Sequence, residues 1–279
     1  MTDTSRRSLL ALAAAAAPAL AAAQARTAPA PDAIRPAPSG NRVALITGSS
    51  RGIGAATAKR LARDGFAVTI NYLTNAAMAQ QVVRDVQISG GKAISCQADV
   101  ADPAAVRALF DATEQAFGGV DVVVSNAGVM NVAPFAQMTD EAFDRMIATN
   151  IKGGFNVLRE AARRTRDGGR IIAIASTSMT QKRATHGAYA ATKAAQEMYA
   201  GSLAKELAGR RISVNAVAPG PTNTDLFRVP PQLRQMAADQ TPYGRIAEPS
   251  DIAKVISALC SSDGEWVNGQ LVFANGGFF

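Results

Sequence analysis

The stretch Thr47-Gly48-Ser49-Ser50-Arg51-Gly52-Ile53-Gly54 lies between an apolar run, residues 42–46, and a helix-compatible run, residues 55–63. Strand, glycine-rich turn and helix therefore follow one another without a gap. At this spacing each glycine has its own mechanical work. Gly48 permits the tight turn off the strand, Gly52 lets backbone approach a pyrophosphate, and Gly54 lets the helix pack close to the sheet. The helix N-terminus then faces an anion, with Ser50 and Ile53 beside it. In this strand-turn-helix setting the turn predicts a dinucleotide site.

Downstream, short β-branched runs alternate with longer amphipathic ones. The spacing predicts strands at 42–47, 67–71, 92–97, 120–124, 170–175, 212–217 and 270–274. Helices are predicted near 53–64, 75–89, 103–117, 139–166, 187–209 and 249–261. Asp102-Pro103 and Glu248-Pro249 each place proline at a first helical position, and Thr139 can cap the helix after it. The alternation predicts an α/β fold, a single Rossmann-type doubly wound parallel sheet of about seven strands with helices on both faces. The expected strand order is 3-2-1-4-5-6-7. With 279 residues and 48% hydrophobic content, residues 41–279 can bury one core without a metal or disulfide staple.

Three residues inside this alternation carry chemistry. Tyr189 and Lys193 stand four apart in Ala188-Tyr189-Ala190-Ala191-Thr192-Lys193-Ala194-Ala195, a run of good helix formers, so phenol and ammonium share one helical face. Ser176 follows the apolar run 171–175, at the carboxyl end of a strand, where ligands bind in open α/β sheets. Reduction of a carbonyl puts charge on oxygen, so a site must supply a proton and hold that oxygen. Free tyrosine has a pKa of about 10, and a neighbouring lysine is expected to draw it towards the working range. Each residue alone has a duller reading; their joint placement behind the glycine turn points to a nicotinamide-dependent oxidoreductase with a small-molecule carbonyl or alcohol substrate. The alternative is a non-enzymatic dinucleotide sensor on the same fold, which would keep the turn without needing both Tyr189 and Lys193.

Other classes fit less well. The formal charge of +7 is dispersed, without the basic stripe and aromatic platforms that nucleic acid requires. Arg163, Arg164 and Arg166 suit a helix end. Cys96 and Cys260 have no Cys-x-x-Cys or histidine neighbour, so no metal site is expected and buried thiols are. The strand order places Cys96 at one sheet edge and Cys260 on a helix beside the far strands, which predicts that they stay unpaired. His186 is the only histidine, thin support for a Ser-His-Asp hydrolase.

The N-terminus reads as a separate object. Ser5-Arg6-Arg7-Ser8-Leu9-Leu10 opens an uncharged stretch, residues 9–23, and Ala23-Gln24-Ala25 supplies a small-x-small cleavage pattern. Residues 1–25 are expected to be a twin-arginine export signal directing the protein to the periplasm. The stretch is too short and alanine-rich to span a bilayer stably. The competing expectation is a retained tail on a cytoplasmic protein. Residues 26–40, with Pro29, Pro31, Pro36 and Pro38, are expected to form a flexible leader.

Residues 41–279 resemble the short-chain dehydrogenase/reductase family. The resemblance rests on Thr47-Gly48-x-x-x-Gly52-Ile53-Gly54, Asn126-Ala127-Gly128 after the fourth strand, Ser176, the Tyr189-x-x-x-Lys193 pair, and Pro219-Gly220 after the sixth strand. It implies that Tyr189 is the general acid/base and that Ser176 orients the carbonyl. Lys193 would hold the nicotinamide ribose and lower the tyrosine pKa, and Asn150 would complete a water relay to Lys193. It further implies Asp99 and Val100 at the adenine edge, and Asn126-Ala127-Gly128 as the floor beneath the cofactor. Pro219 and Gly220 would lie beside it, with Thr222 and Thr224 touching its nicotinamide-side phosphate or carboxamide. The likeness is greatest to reductases of the 3-oxoacyl-carrier-protein type. Residues 222–243 fall where that family builds its substrate lid, and Leu226, Phe227, Val229, Leu233 and Met236 there point to a moderately hydrophobic substrate. The resemblance also implies a homotetramer or homodimer assembled through the helices near 139–166 and 187–209.

Cofactor choice is read from an absence and a presence. NAD-selective sites normally end the second strand with an acid that binds the adenosine ribose. Here that strand ends Val68-Thr69-Ile70-Asn71-Tyr72, with Asn71 on the cofactor side, while Arg51 stands immediately before Gly52. A planar guanidinium suits a 2′-phosphate, so NADP(H) is expected over NAD(H).

Overall fold

The computed structural model describes residues 42–278. The export signal expected at 1–25 and the leader expected at 26–40 lie outside the described residues. Seven strands form one sheet: β1 (Arg42–Ile46), β2 (Phe66–Tyr72), β3 (Ala93–Gln97), β4 (Val120–Ser125), β5 (Thr165–Ile174), β6 (Ser213–Pro219) and β7 (Leu271–Ala274). Every pairing is parallel, in the order β3-β2-β1-β4-β5-β6-β7. The order reverses between β1 and β4, which opens a crevice at their carboxyl ends.

Both faces are covered, and side-chain alternation along each strand sorts residues between them. Ala44 and Ile46 of β1, with Val122 and Val124 of β4, pack under α1 (Gly52–Arg63), α2 (Ala76–Ile88) and α9 (Pro249–Cys260). Leu45 and Val123 point the other way, under α3 (Pro103–Phe117), α5 (Gly154–Arg164) and α7 (Gly187–Glu206). The expected helix starts form: Pro103 and Pro249 open their helices and Thr139 accepts from the Ala142 amide at 3.2 Å. In addition, Asp102 accepts from the Ala104 amide at 2.8 Å, and Glu248 and Asp251 make a reciprocal box.

Three local features depart from the sequence expectation. The single helix expected at 139–166 is α4 (Asp140–Met146), a π-helical turn (Ile147–Gly153) and α5 in succession. The wide turn sits where Gly153 and Gly154 let the backbone press against Val100 and Gln196. β5 begins at Thr165, with a register shift opposite β4 between Val120 and Val122 and Gly168 at φ +79°. A short helix, α8 (Pro231–Asp239), lies inside the lid segment 222–243, where no helix was expected, with proline in its first turn. Between β5 and α7 lies one further short helix, α6 (Ser178–Gln181).

Cys96 and Cys260 are both free, Cys260 buried as expected and Cys96 only half-buried at the sheet edge. α9 packs on α1 and also reaches β5 and β7, so Cys260 ends a helix that lies beside the far strands as expected. Burial pushes the Cys260 thiol up to about 12, despite the nearby Arg170 and Arg42. Among the described residues no helix is long and apolar enough to cross a membrane, and no cluster of three or more His, Cys, Asp or Glu could hold a metal.

Candidate active site

The glycine turn is braced from both neighbouring strands. Thr47 Oγ1 accepts from the amides of Asn126 at 3.0 Å and Ala127 at 3.1 Å. Asn126 Nδ2 returns bonds to the carbonyls of Thr47 and Gly48 at 2.8 and 3.0 Å. Gly48 has φ +60°, and a Cβ there would stand 2.8 Å from Ala127 Cα. At Gly54 a Cβ would meet Asn126 Nδ2 at 2.6 Å and the Gly48 carbonyl at 2.7 Å. Helix α1 can approach this closely only without a side chain, and the cradle so formed has the shape a pyrophosphate needs.

Asn71 is 2% exposed and its side chain is spent inside the protein. Its Oδ1 accepts from the Gly48 amide at 3.0 Å, and its Nδ2 donates to the Ala98 carbonyl at 3.0 Å. It positions the glycine turn and ties it to the end of β3. Val100 is also buried, packed against Gly153. Asp99, in contrast, is exposed and accepts from the Ala101 amide at 2.9 Å. Across the crevice Pro219 closes β6 and its carbonyl accepts from the Thr177 amide at 3.1 Å. Thr222 is buried and donates to the Gly220 carbonyl at 2.9 Å. The Thr224 methyl would lie 3.4 Å from a Cβ on Gly52. Arg51 and Ser50 stand at the outer end of the turn, Arg51 exposed and Ser50 half-buried.

At the inner end, Tyr189 and Lys193 are 6% and 4% exposed. Helix α7 buries both on one face, together with Thr192 and Gln196, so the apolar stripe usual for a packed helix gives way to a polar one at the crevice. Lys193 Nζ donates to the Ile174 carbonyl at 2.8 Å and lies 5.9 Å from the centre of the Tyr189 ring. An ammonium has further N–H donors, and a buried one needs them met. Gly128 faces this corner: a Cβ there would sit 3.3 Å from Lys193 Nζ and 3.3 Å from Asn150 Oδ1. The corner therefore fits a polar group such as the hydroxyls of a cofactor ribose.

The electrostatics differ from the expectation that Lys193 draws the phenol down. Burial pushes Tyr189 up to about 12, only partly opposed by the Ser176 hydroxyl. Burial also pulls Lys193 down to about 8. Desolvation disfavours the charged form of each, so the protein groups by themselves set a neutral phenol beside an ammonium that still carries most of its charge at neutral pH.

Asn150 lies in the π-helical turn, the kind of helix irregularity that accompanies functional sites. Its side chain is fully engaged: Oδ1 accepts from the Val129 amide at 2.8 Å, and Nδ2 donates to the Val129 carbonyl at 2.8 Å and to Thr192 Oγ1 at 2.9 Å. Gln196 Nε2 donates to its backbone carbonyl at 2.5 Å. Asn150 and Lys193 approach each other across Gly128 without a direct hydrogen bond among the described residues. Thr192 hands the network back to Tyr189, donating to its carbonyl at 2.7 Å.

Sequence reasoning missed Ser178, Thr47, Thr192 and Gln196 as supporting residues. Only Thr47 had a signal, its place inside the motif. Gly48-x-Ser50-x-Gly52 also has the spacing of a hydrolase nucleophile elbow, but no triad follows. Among the described residues, His186 Nδ1 faces the Ala184 carbonyl at 3.1 Å and Thr185 Oγ1 at 3.2 Å, and no acid.

Comparison with known proteins agrees with this geometry. The family model described as enoyl-(acyl carrier protein) reductase matches residues 48–279. A short-chain type dehydrogenase/reductase of Picea abies is 42% identical over 250 residues, covering 85% of this chain and 92% of its own length. A chloroplastic NADPH-dependent aldehyde reductase-like protein of Arabidopsis thaliana is 40% identical, with 87% and 96% covered. A Burkholderia cenocepacia short-chain dehydrogenase solved in complex with NADP superposes with a TM-score of 0.81 at 37% identity, covering 85% of this chain and 97% of that one. The chain belongs to the short-chain dehydrogenase/reductase family, and with it to the NADP-using oxidoreductases.

Proposed function

We propose that the protein is an NADP(H)-preferring oxidoreductase that interconverts a moderately hydrophobic carbonyl compound and its secondary alcohol, with Tyr189 as general acid/base. The observation that carries this reading is the shared burial of Tyr189 and Lys193 on one face of α7, beside Ser176 at the end of β5. The glycine cradle, the Gly128 corner and Thr224 would hold the cofactor. When bound, the nicotinamide supplies or accepts the hydride.

The remaining work falls to the chain. The Ser176 hydroxyl holds the substrate oxygen. The neutral phenol of Tyr189 gives that oxygen a proton as negative charge develops, and the same proton returns when an alcohol is oxidised. The charge of Lys193 stabilises the phenolate left behind. Arg51, exposed at the turn, is the reader of a 2′-phosphate, and NADP in the related Burkholderia structure supports that choice. Leu226, Leu233 and Met236 are exposed on the lid segment and supply apolar contact for substrate. Exposed Phe155 and Met198, on α5 and α7, support a homotetramer or homodimer through those helices. Periplasmic export through Arg6-Arg7 belongs to the same reading and rests on sequence alone.

The test is a panel of aldehydes, ketones and secondary alcohols assayed with NADPH, NADH and their oxidised forms. Turnover favouring NADP(H) is expected. Tight NADPH binding with no turnover across the panel would favour the sensor reading.

A further inference from the structure

The same Arg51 has a partner in the lid. Its Nη1 lies 3.1 Å from Asp225 Oδ2, and Asp225 opens the short 3-10 turn Asp225–Phe227 just beyond Thr224. The other carboxylate oxygen, Oδ1, is held by Arg228 Nη2 at 2.6 Å. The two cations together hold the carboxyl of Asp225 below the usual carboxylate range. The Arg51 contact is a single bond to one nitrogen of a guanidinium that can hold an anion bidentately.

We propose that Asp225 is a specificity-determining residue that acts through Arg51: its carboxylate occupies the phosphate-reading guanidinium in the free enzyme and must yield it to the 2′-phosphate of NADP(H). The inference rests on the reading of Arg51 as the phosphate reader. Exchange is chemically balanced, because a phosphate monoester dianion offers more charge and more oxygens than a carboxylate, and Asp225 keeps Arg228 after release. NAD(H) has no anion at that position, so it leaves the Arg51–Asp225 pair in place. Asp225 thus lowers the preference that Arg51 creates, and links recognition of the adenosine end to the lid over the substrate end.

The experiment measures dissociation constants of NADPH and NADH by fluorescence titration for the full chain, Asp225→Asn, Arg51→Ala and the double variant. Both side chains are at the surface, so folding is checked by one thermal melt each. Asp225→Asn is expected to tighten NADPH about three- to fivefold, the scale of an exposed ion pair, while NADH changes less than about twofold. In the Arg51→Ala background the same change should do nothing to either cofactor. Unchanged or weakened NADPH binding in Asp225→Asn overturns the inference, as does an equal gain for NADH or a gain that persists without Arg51. An Arg51→Ala protein with the native NADPH/NADH ratio overturns the phosphate reading itself, and the inference with it.

Discussion

Ser178 Oγ donates to Ser176 Oγ at 2.9 Å, and the Ser178 amide points at the same oxygen from 3.2 Å. With two donors directed at it, the Ser176 oxygen acts as acceptor towards Ser178, which leaves its own proton for the Tyr189 oxygen beside it. Ser178 therefore orients the hydroxyl that holds the substrate oxygen. Ser178→Ala keeps the amide contact and loses the hydroxyl one. Turnover should fall about three- to tenfold with NADPH affinity unchanged, the scale of one neutral hydrogen bond. Steady-state kinetics with a cofactor titration measures both.

Tyr189→Phe preserves ring packing against Met146 and Ala188 and deletes the proton. Turnover should drop about 10²- to 10⁴-fold while NADPH still binds. A Tyr189→Phe protein turning over at the native rate would falsify the assignment of Tyr189 as acid/base.

The buried ammonium makes stability depend on pH. Lys193 titrates near 8 in the fold against 10.5 in the unfolded chain. Between those values the unfolded state binds more protons, so stability of the cofactor-free protein rises with pH from about 8 towards 10. Below 8 both states are protonated and this dependence vanishes. Above 10 it is opposed by Tyr189, whose raised pKa of about 12 means that the unfolded chain gives up its proton first. Lys193→Met should lack the rise between pH 8 and 10 in urea melts; an identical slope in both proteins would contradict this environment.

Asn71→Asp places a carboxylate at the end of β2, where NAD-selective enzymes carry an acid. Here the side chain is buried and its amide donates to the Ala98 carbonyl, so although one carboxylate oxygen would keep the Gly48 amide, the other would face that carbonyl with no proton between them. The variant should lose about 2 kcal/mol or more of stability without gaining preference for NADH. Chemical denaturation and the ratio of the two dissociation constants check both halves.

If Arg6-Arg7 directs export, mature protein from fractionated cells should begin near Arg26 and be found in the periplasm. N-terminal sequencing reads this directly, and an intact Met1 on cytosolic protein would contradict it.

Strand order, the proline-marked helix starts and the clustering of Ser176, Tyr189 and Lys193 were legible because each leaves a local mark: β-branched runs, proline at helix starts, a four-residue spacing. The environment of those residues was not. Asn71 reads from sequence as a strand-end residue facing ligand, yet register with β3 turns its amide inward to Ala98. Lys193 reads as a charge acting on a phenol, but the depth of burial that pulls its own pKa down is set by packing around Ile174 and Gly128. α8 was hidden because prolines on either side of its start resemble an irregular segment.

The π-helical turn at Ile147–Gly153 makes this part of the chain unusually sensitive to length. A π turn carries one residue more than the α-helical path it replaces. Removing a single residue there would let α4 and α5 fuse into a regular helix, with the residues beyond kept in register and the wide turn that carries Asn150 erased. Val157, Leu158 and Ala161 would keep their place in the core, while Asn150 would lose Val129. Point substitutions on the exposed side of this segment should be tolerated far better than a deletion, because they leave the wide turn, and with it the placement of Asn150, intact.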